Sequence, residues 1–177
     1  VSTPNIGELQ LEKFLDQSPW ILERGLGYKK YHSQVVIDKE ILSRSDNGIK
    51  PDKFLERHDG YCDILDLKRS DVQILVKKIN RTHASSKLTE AEAQVDIYVD
   101  FAKEPKVREH LRTKGINVLS PNGLILMGRT PKENMEDWES TKKRLSIKAF
   151  TYDDLINELE AIVGWIEELE NKIAKTI

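Results

Sequence analysis

The chain has one cysteine, Cys62, and two methionines among its 177 residues. One thiol excludes an internal disulfide framework and fits a reducing cytoplasm, the expected location. No apolar run approaches the ~18 residues that suggest a membrane span. The opening VSTPNIGELQ has no basic region followed by an apolar stretch, so no signal peptide is expected. P-loop, dinucleotide fingerprint and nucleophile elbow are missing, and ATP use is not expected. His32, His58, His83 and His110 are scattered, with no metal-ligand spacing. There is no internal repeat and no low-complexity tract.

Hydrophobic residues make up 38% of the chain and include three tryptophans, enough for one domain with a real core. A charged fraction of 33% and a mean hydropathy of −0.53 point to a soluble protein. The first residue is Val1, which suggests a domain cut from a longer chain with a further N-terminal domain. The net charge is −2, but residues 151–177 carry seven acids and two lysines, a net −5, which leaves +3 on the rest. A locally basic face for nucleic acid is compatible with that balance.

GELQLEKFLDQSPWIL reads as helix, with Leu11, Phe14 and Leu15 at helical spacing and Pro19 ending or kinking it near Ser18. YHSQVVIDKEIL reads as strand and SRSDNGIK as turn. Two short strands flank HDG, VQILV (72–76) is another strand, and NRTHASS is a polar loop. LTEAEAQVDIYVDFAKE is a helix with Thr89 as N-cap. INVLSPNGLILMGRT reads as two strands joined at Ser120–Gly123. A charged helix covers about 133–145, and a last helix starts at Thr151 with Asp154 completing a capping box. This order predicts an α/β fold, a mixed central β-sheet flanked by helices with a long C-terminal helix. Residues 1–150 are expected to form the core. Residues 151–177 are expected to be a helix that packs on it first and then extends toward an oligomer partner, since its apolar residues repeat with heptad spacing.

The stretch PDKFLERHDGYCDILDLKRS holds the chemistry. Along a strand Asp66 and Lys68 share one face. A two-residue Asp59-Gly60 turn would put Asp52 opposite Leu67. A three-residue loop, His58-Asp59-Gly60, would put Asp52 opposite Asp66, with Gly60 left-handed. The residues alone permit both registers. If the two acids and the lysine converge, the carboxylates repel unless a cation lies between them. An all-oxygen site suits Mg²⁺, with Mn²⁺ as a substitute, and phosphate chemistry. CDILDLK is apolar on both faces apart from Asp63, Asp66 and Lys68, so these groups sit in or beside a buried strand and need partners.

On those residues the chain resembles the PD-(D/E)xK nuclease superfamily, and more finely the nuclease domain of Shedu-type antiphage defence proteins. GELQLEKFLDQSPWIL resembles that family's opening helix, YCDILDLKRS its active-site strand, and KLTEAEAQVDIYVDF its helix with Gln and Tyr four residues apart. PNGLILMGR and TYDDLINELEAIV resemble its following strand and closing helix. The resemblance implies a restriction-endonuclease-like core and metal-dependent cleavage of phage or foreign DNA by an endodeoxyribonuclease. It assigns Asp52, Asp66 and the Leu67 carbonyl to the metal, Lys68 to catalysis, and Gln94 and Glu8 to support, with Glu12 as second choice for the helix acid. Asp66 stands where the close family usually has Glu, and its shorter arm shifts the metal. Two other readings fit the same residues. One is a catalytically silent nucleic-acid-binding or assembly module of this fold, and the other a restriction or repair nuclease of the superfamily.

Gln94 is also expected inward from its helix, whose stripe is Ala91, Val95, Tyr98 and Ala102. KEPKVREHLRTKG (103–115) reads as a solvated helix face, and KKINR (77–81), just past the hairpin, as the better DNA contact. Cys62 is expected to be a reduced core thiol on the Asp66 side of its strand.

Overall fold

The computed structural model describes residues 7–33, 35–37, 49–79 and 81–174. Two helices, α1 (Glu8–Gln17) and α2 (Trp20–Gly25), precede strands β1 (Lys30–Ser33), β2 (Lys53–Glu56), β3 (Cys62–Leu67), β4 (Leu75–Lys78) and β5 (Arg81–Ala84). Helices α3 (Ser86–Ala102) and α4 (Pro105–Thr113) follow, then β6 (Gly123–Leu126), a 3₁₀ turn at Lys132–Asn134 and α5 (Met135–Lys142). Strand β7 (Lys148–Phe150) and α6 (Tyr152–Ala174) end the described chain. The result is the expected mixed α/β architecture. A five-stranded sheet is ordered β1-β2-β3-β6-β7, and β4-β5 form a separate hairpin. The β1-β2 and β2-β3 pairs are antiparallel, while β3-β6 and β6-β7 are parallel. No helix of the described residues is long and apolar enough to cross a membrane.

Strand β3 is buried along its whole length because helices cover both sheet faces. One face carries Phe54, Cys62, Ile64 and Ile125 under the α3 stripe of Ala91, Val95, Tyr98 and Ala102. The other carries Leu55, Leu65, Leu67 and Leu124 against Leu15, Leu22, Tyr152 and Leu155. On α1 the expected apolar stripe is only partly inward, since Leu15 is buried and Phe14 is exposed.

Several expected elements differ. Ser85, not Thr89, caps α3, its hydroxyl accepting from the Leu88 N–H at 3.1 Å. NRTHASS is not all loop, since Arg81–Ala84 pairs with β4. That strand occupies Leu75–Lys78 rather than 72–76. INVL forms no strand. Ile116 and Val118 are buried, but the segment offers Cys62 only the Asn117 carbonyl. Helix α1 does end at Ser18, before Pro19, but a second helix, α2, follows at once, and α2 and β7 had no clear signal. YHSQVVIDKEIL and SRSDNGIK fall largely outside the described residues. Of them the structure shows β1 and an isolated bridge between Ile37 and Ile49. The capping box of α6 is present, with Thr151 N–H donating to Asp154 at 2.8 Å and Asp154 N–H to the Thr151 hydroxyl at 3.1 Å.

Candidate functional site

Register decides whether the two acids meet. Lys53 pairs with Leu65 and Glu56 with Cys62, and Arg57 N–H donates to the Tyr61 carbonyl at 2.8 Å. The loop is therefore His58-Asp59-Gly60, with Gly60 at φ 85°. One step beyond Lys53↔Leu65, Asp52 faces Asp66. The Asp52 carboxylate also accepts the Leu67 N–H at 2.7 Å, which ties it across the strand pair.

Lys68 Nζ lies 2.6 Å from an oxygen of the buried Asp66 carboxylate and donates to Gln94 Oε1 at 3.1 Å. Gln94 Nε2 in turn donates to the Tyr98 hydroxyl at 2.6 Å. Helix α3 thus holds the lysine from above the sheet through two residues one turn apart. The main chain of Lys68 is held as well, its N–H donating to the Leu126 carbonyl at 2.9 Å and its carbonyl accepting the Tyr152 hydroxyl at 2.8 Å. Burial and the charges of Asp66 and Asp52 push the Tyr98 phenol up, against Gln94 and Lys68, so it stays neutral.

Burial holds the Asp52 carboxyl above the usual carboxylate range, although the Leu67 N–H, Lys68 and Lys53 pull it down. Glu12 pushes it further up. Burial thus disfavours the ionised Asp52, and a cation bound beside it would offset that cost. The donors, two carboxylates beside the main chain of Leu67, are all oxygen, which fits a hard divalent cation. An open pocket of about 360 Å³ lined by Gly7, Leu9, Glu12, Asp52 and Leu67 adjoins them.

Asp52, Asp66, Leu67, Lys68 and Gln94 are thus brought together. Glu8 opens α1, but its side chain lies outside the described residues. Among the described residues, the α1 acid that lines the pocket is Glu12. Sequence reasoning missed what holds it. Lys53 is fully buried and pairs with Asp16 at 2.9 Å and Glu12 at 3.4 Å, 5.5 Å from the Tyr31 ring centroid. The signal was a lysine in the apolar alternation of KFLE. Asp63, the other buried acid of β3, is fully used by Tyr28, Arg57 and Asn122 and takes no part.

These features define a class: a mixed α/β protein with a carboxylate–lysine cleft at the end of the β2-β3 strand pair. The chain belongs to the Shedu family, a family of antiphage defence proteins. Residues 7–156 match the family model described as Shedu protein SduA, C-terminal. No curated protein matches the chain.

Proposed function

We propose that this is the nuclease domain of a Shedu-type defence protein, a Mg²⁺-dependent DNA endonuclease of restriction-endonuclease-like fold within the PD-(D/E)xK superfamily. The observation that carries the reading is the register that sets Asp52 against Asp66 with Lys68 beside them. Mg²⁺, or Mn²⁺ in its place, would be held by Asp52, Asp66 and the Leu67 carbonyl. When bound, the ion supplies positive charge that polarises the scissile phosphate. Lys68 orients the attacking water and offsets charge on the phosphate. Gln94 and Tyr98 fix the lysine side chain, so its ammonium does not have to be ordered during the reaction. Glu12, steered by Lys53, completes the acidic wall of the cleft, a role the resemblance gave first to Glu8.

The β4-β5 hairpin supplies a DNA contact. Lys77 and Lys78 are exposed, Lys78 pairs with Arg81, and Ile79 stands out at the tip at 93% exposure. The family model describes a C-terminal portion, so we read the chain as part of a longer cytoplasmic protein. Its partners would be foreign DNA and further copies of itself.

The test is cleavage of supercoiled plasmid with Mg²⁺ by the parent and by Lys68→Ala. Loss of positioned proton-handling groups typically costs about 10²–10⁴-fold in rate, and a loss in that range is expected. Equal cutting by both proteins overturns the assignment. No cutting by either, in the presence of Mg²⁺ or Mn²⁺, favours a silent DNA-binding module instead.

A further inference from the structure

At the far end of β2 from Asp52, on the same sheet face, three donors from three consecutive strands meet. A ring nitrogen of His32, a carboxylate oxygen of Glu56 and Sγ of Cys62 all lie within 4.8 Å of one another. Register puts them there. Glu56 pairs with both Lys30 and Cys62, and His32 lies two residues beyond Lys30 on the same side. His32 Nε2 lies 3.7 Å from Glu56 and is buried without a hydrogen-bond partner among the described residues. A buried imidazole nitrogen without a partner is unusual and needs a reason.

We propose that His32, Glu56 and Cys62 form a site for a borderline-soft divalent cation of the zinc class, tying β1, β2 and β3 together. Nitrogen, sulfur and carboxylate oxygen are the donor set zinc takes, whereas magnesium selects oxygen alone. Three protein ligands leave a fourth position for water. The site is distinct from the acidic cleft, since Glu56 and Asp52 are about 13 Å apart at ~3.3 Å per strand residue.

The protonation states suit this role. Burial and Lys30 hold the His32 imidazole below its usual range despite Glu56, so it is neutral and has a free lone pair. Burial, with Glu56, pushes the Cys62 thiol up to about 11, so binding releases its proton to solvent as the sulfur–metal bond forms. Lys29 at 3.0 Å and Lys30 at 3.2 Å hold Glu56 when no cation is bound. Both ammonium stems are more than half exposed and can swing into water, so they compete with the cation without blocking it.

The experiment is titration of the chain with Co²⁺, read by absorption. The chain has one cysteine, so a sulfur-to-cobalt charge-transfer band reports Cys62 and nothing else. The band is expected to saturate at one equivalent, to persist in Asp52→Asn, and to be lost in Cys62→Ala. His32→Gln, at a half-buried position that tolerates the change, should weaken binding at least ~10-fold. Lys30→Gln should tighten it. Zn²⁺ should raise the melting temperature of the parent and not of His32→Gln. Absence of the sulfur band, or Zn²⁺ stabilisation undiminished in His32→Gln, overturns the proposal.

Discussion

Lys53 shows how one residue ties stability to the site. Its ammonium is out of water, and Asp16 and Glu12 pair with it. Lys53→Ala removes the buried ammonium and its stem packing but leaves Asp16 and Glu12 partly exposed, so its cost in urea unfolding should fall below the ~3–5 kcal/mol of a pair buried on both sides. Lys53→Met keeps the stem packing and should lose less. The pH dependence has a sign. Burial raises the Asp16 carboxyl, but Lys53, Ser33 and Tyr31 outweigh it and leave it below its usual 3.8. A depressed carboxyl contributes stability above its unfolded pKa and loses it as pH falls through the folded value. The gap between parent and Lys53→Met should therefore be full at pH 7 and shrink below about pH 4. A constant gap down to pH 2 would show that Asp16 is not the partner that matters. At the site, Tyr98→Phe leaves the Gln94 amide without its acceptor. It should lower the cleavage rate while leaving DNA affinity unchanged, because Tyr98 acts through Gln94 on Lys68.

At the scale of elements, the β2-β3 hairpin sets the register on which the site depends. Gly60 sits at φ 85° with open space around its missing side chain. Gly60→Ala should therefore cost about 1 kcal/mol from backbone strain alone. Gly123 differs, since an added methyl would meet Val95 at 2.5 Å and Ile147 at 2.8 Å. Gly123→Ala should force α3 off the sheet, and because α3 carries Gln94, cleavage should fall along with stability. The residues of the hairpin left its register open, because Asp-Gly suits a two-residue turn and His-Asp-Gly a three-residue loop. The deciding contacts, Asp52 to the Leu67 N–H and Asp63 to Asn122, come from outside the loop. The α3 stripe was legible because its period is long and regular. Strand β5 was not, since RTHA is polar and only pairing with β4 makes it a strand. INVL misled in the opposite way, its alternating apolar residues being buried without a ladder to join. The zinc-class cluster was hidden because His32, Glu56 and Cys62 have no sequence spacing, only a shared sheet face.

For the whole molecule, the C-terminal helix changes character along its length. Tyr152 and Leu155 are buried, Leu159 packs beside them, and Gly25 on α2 allows the helix to approach. From Val163 onward the apolar residues Val163, Trp165, Ile166, Leu169 and Ile173 are exposed. A helix held only by its first turns gains little from its own core beyond them, and a long isolated segment is marginal in water. The heptad spacing of Ile162, Ile166, Leu169 and Ile173 instead matches a surface that a second copy can cover. The two roles separate in one experiment. A chain ending at Glu167 keeps every buried residue of α6 and should melt within about a degree of the parent at low concentration, where association is absent. Sedimentation at high concentration should then show the parent associating and the shortened chain remaining a monomer, with Leu169→Glu behaving like the truncation. If the shortened chain unfolds several degrees earlier at low concentration, the distal helix stabilises its own domain. If all three proteins sediment alike, the stripe is not the contact between copies.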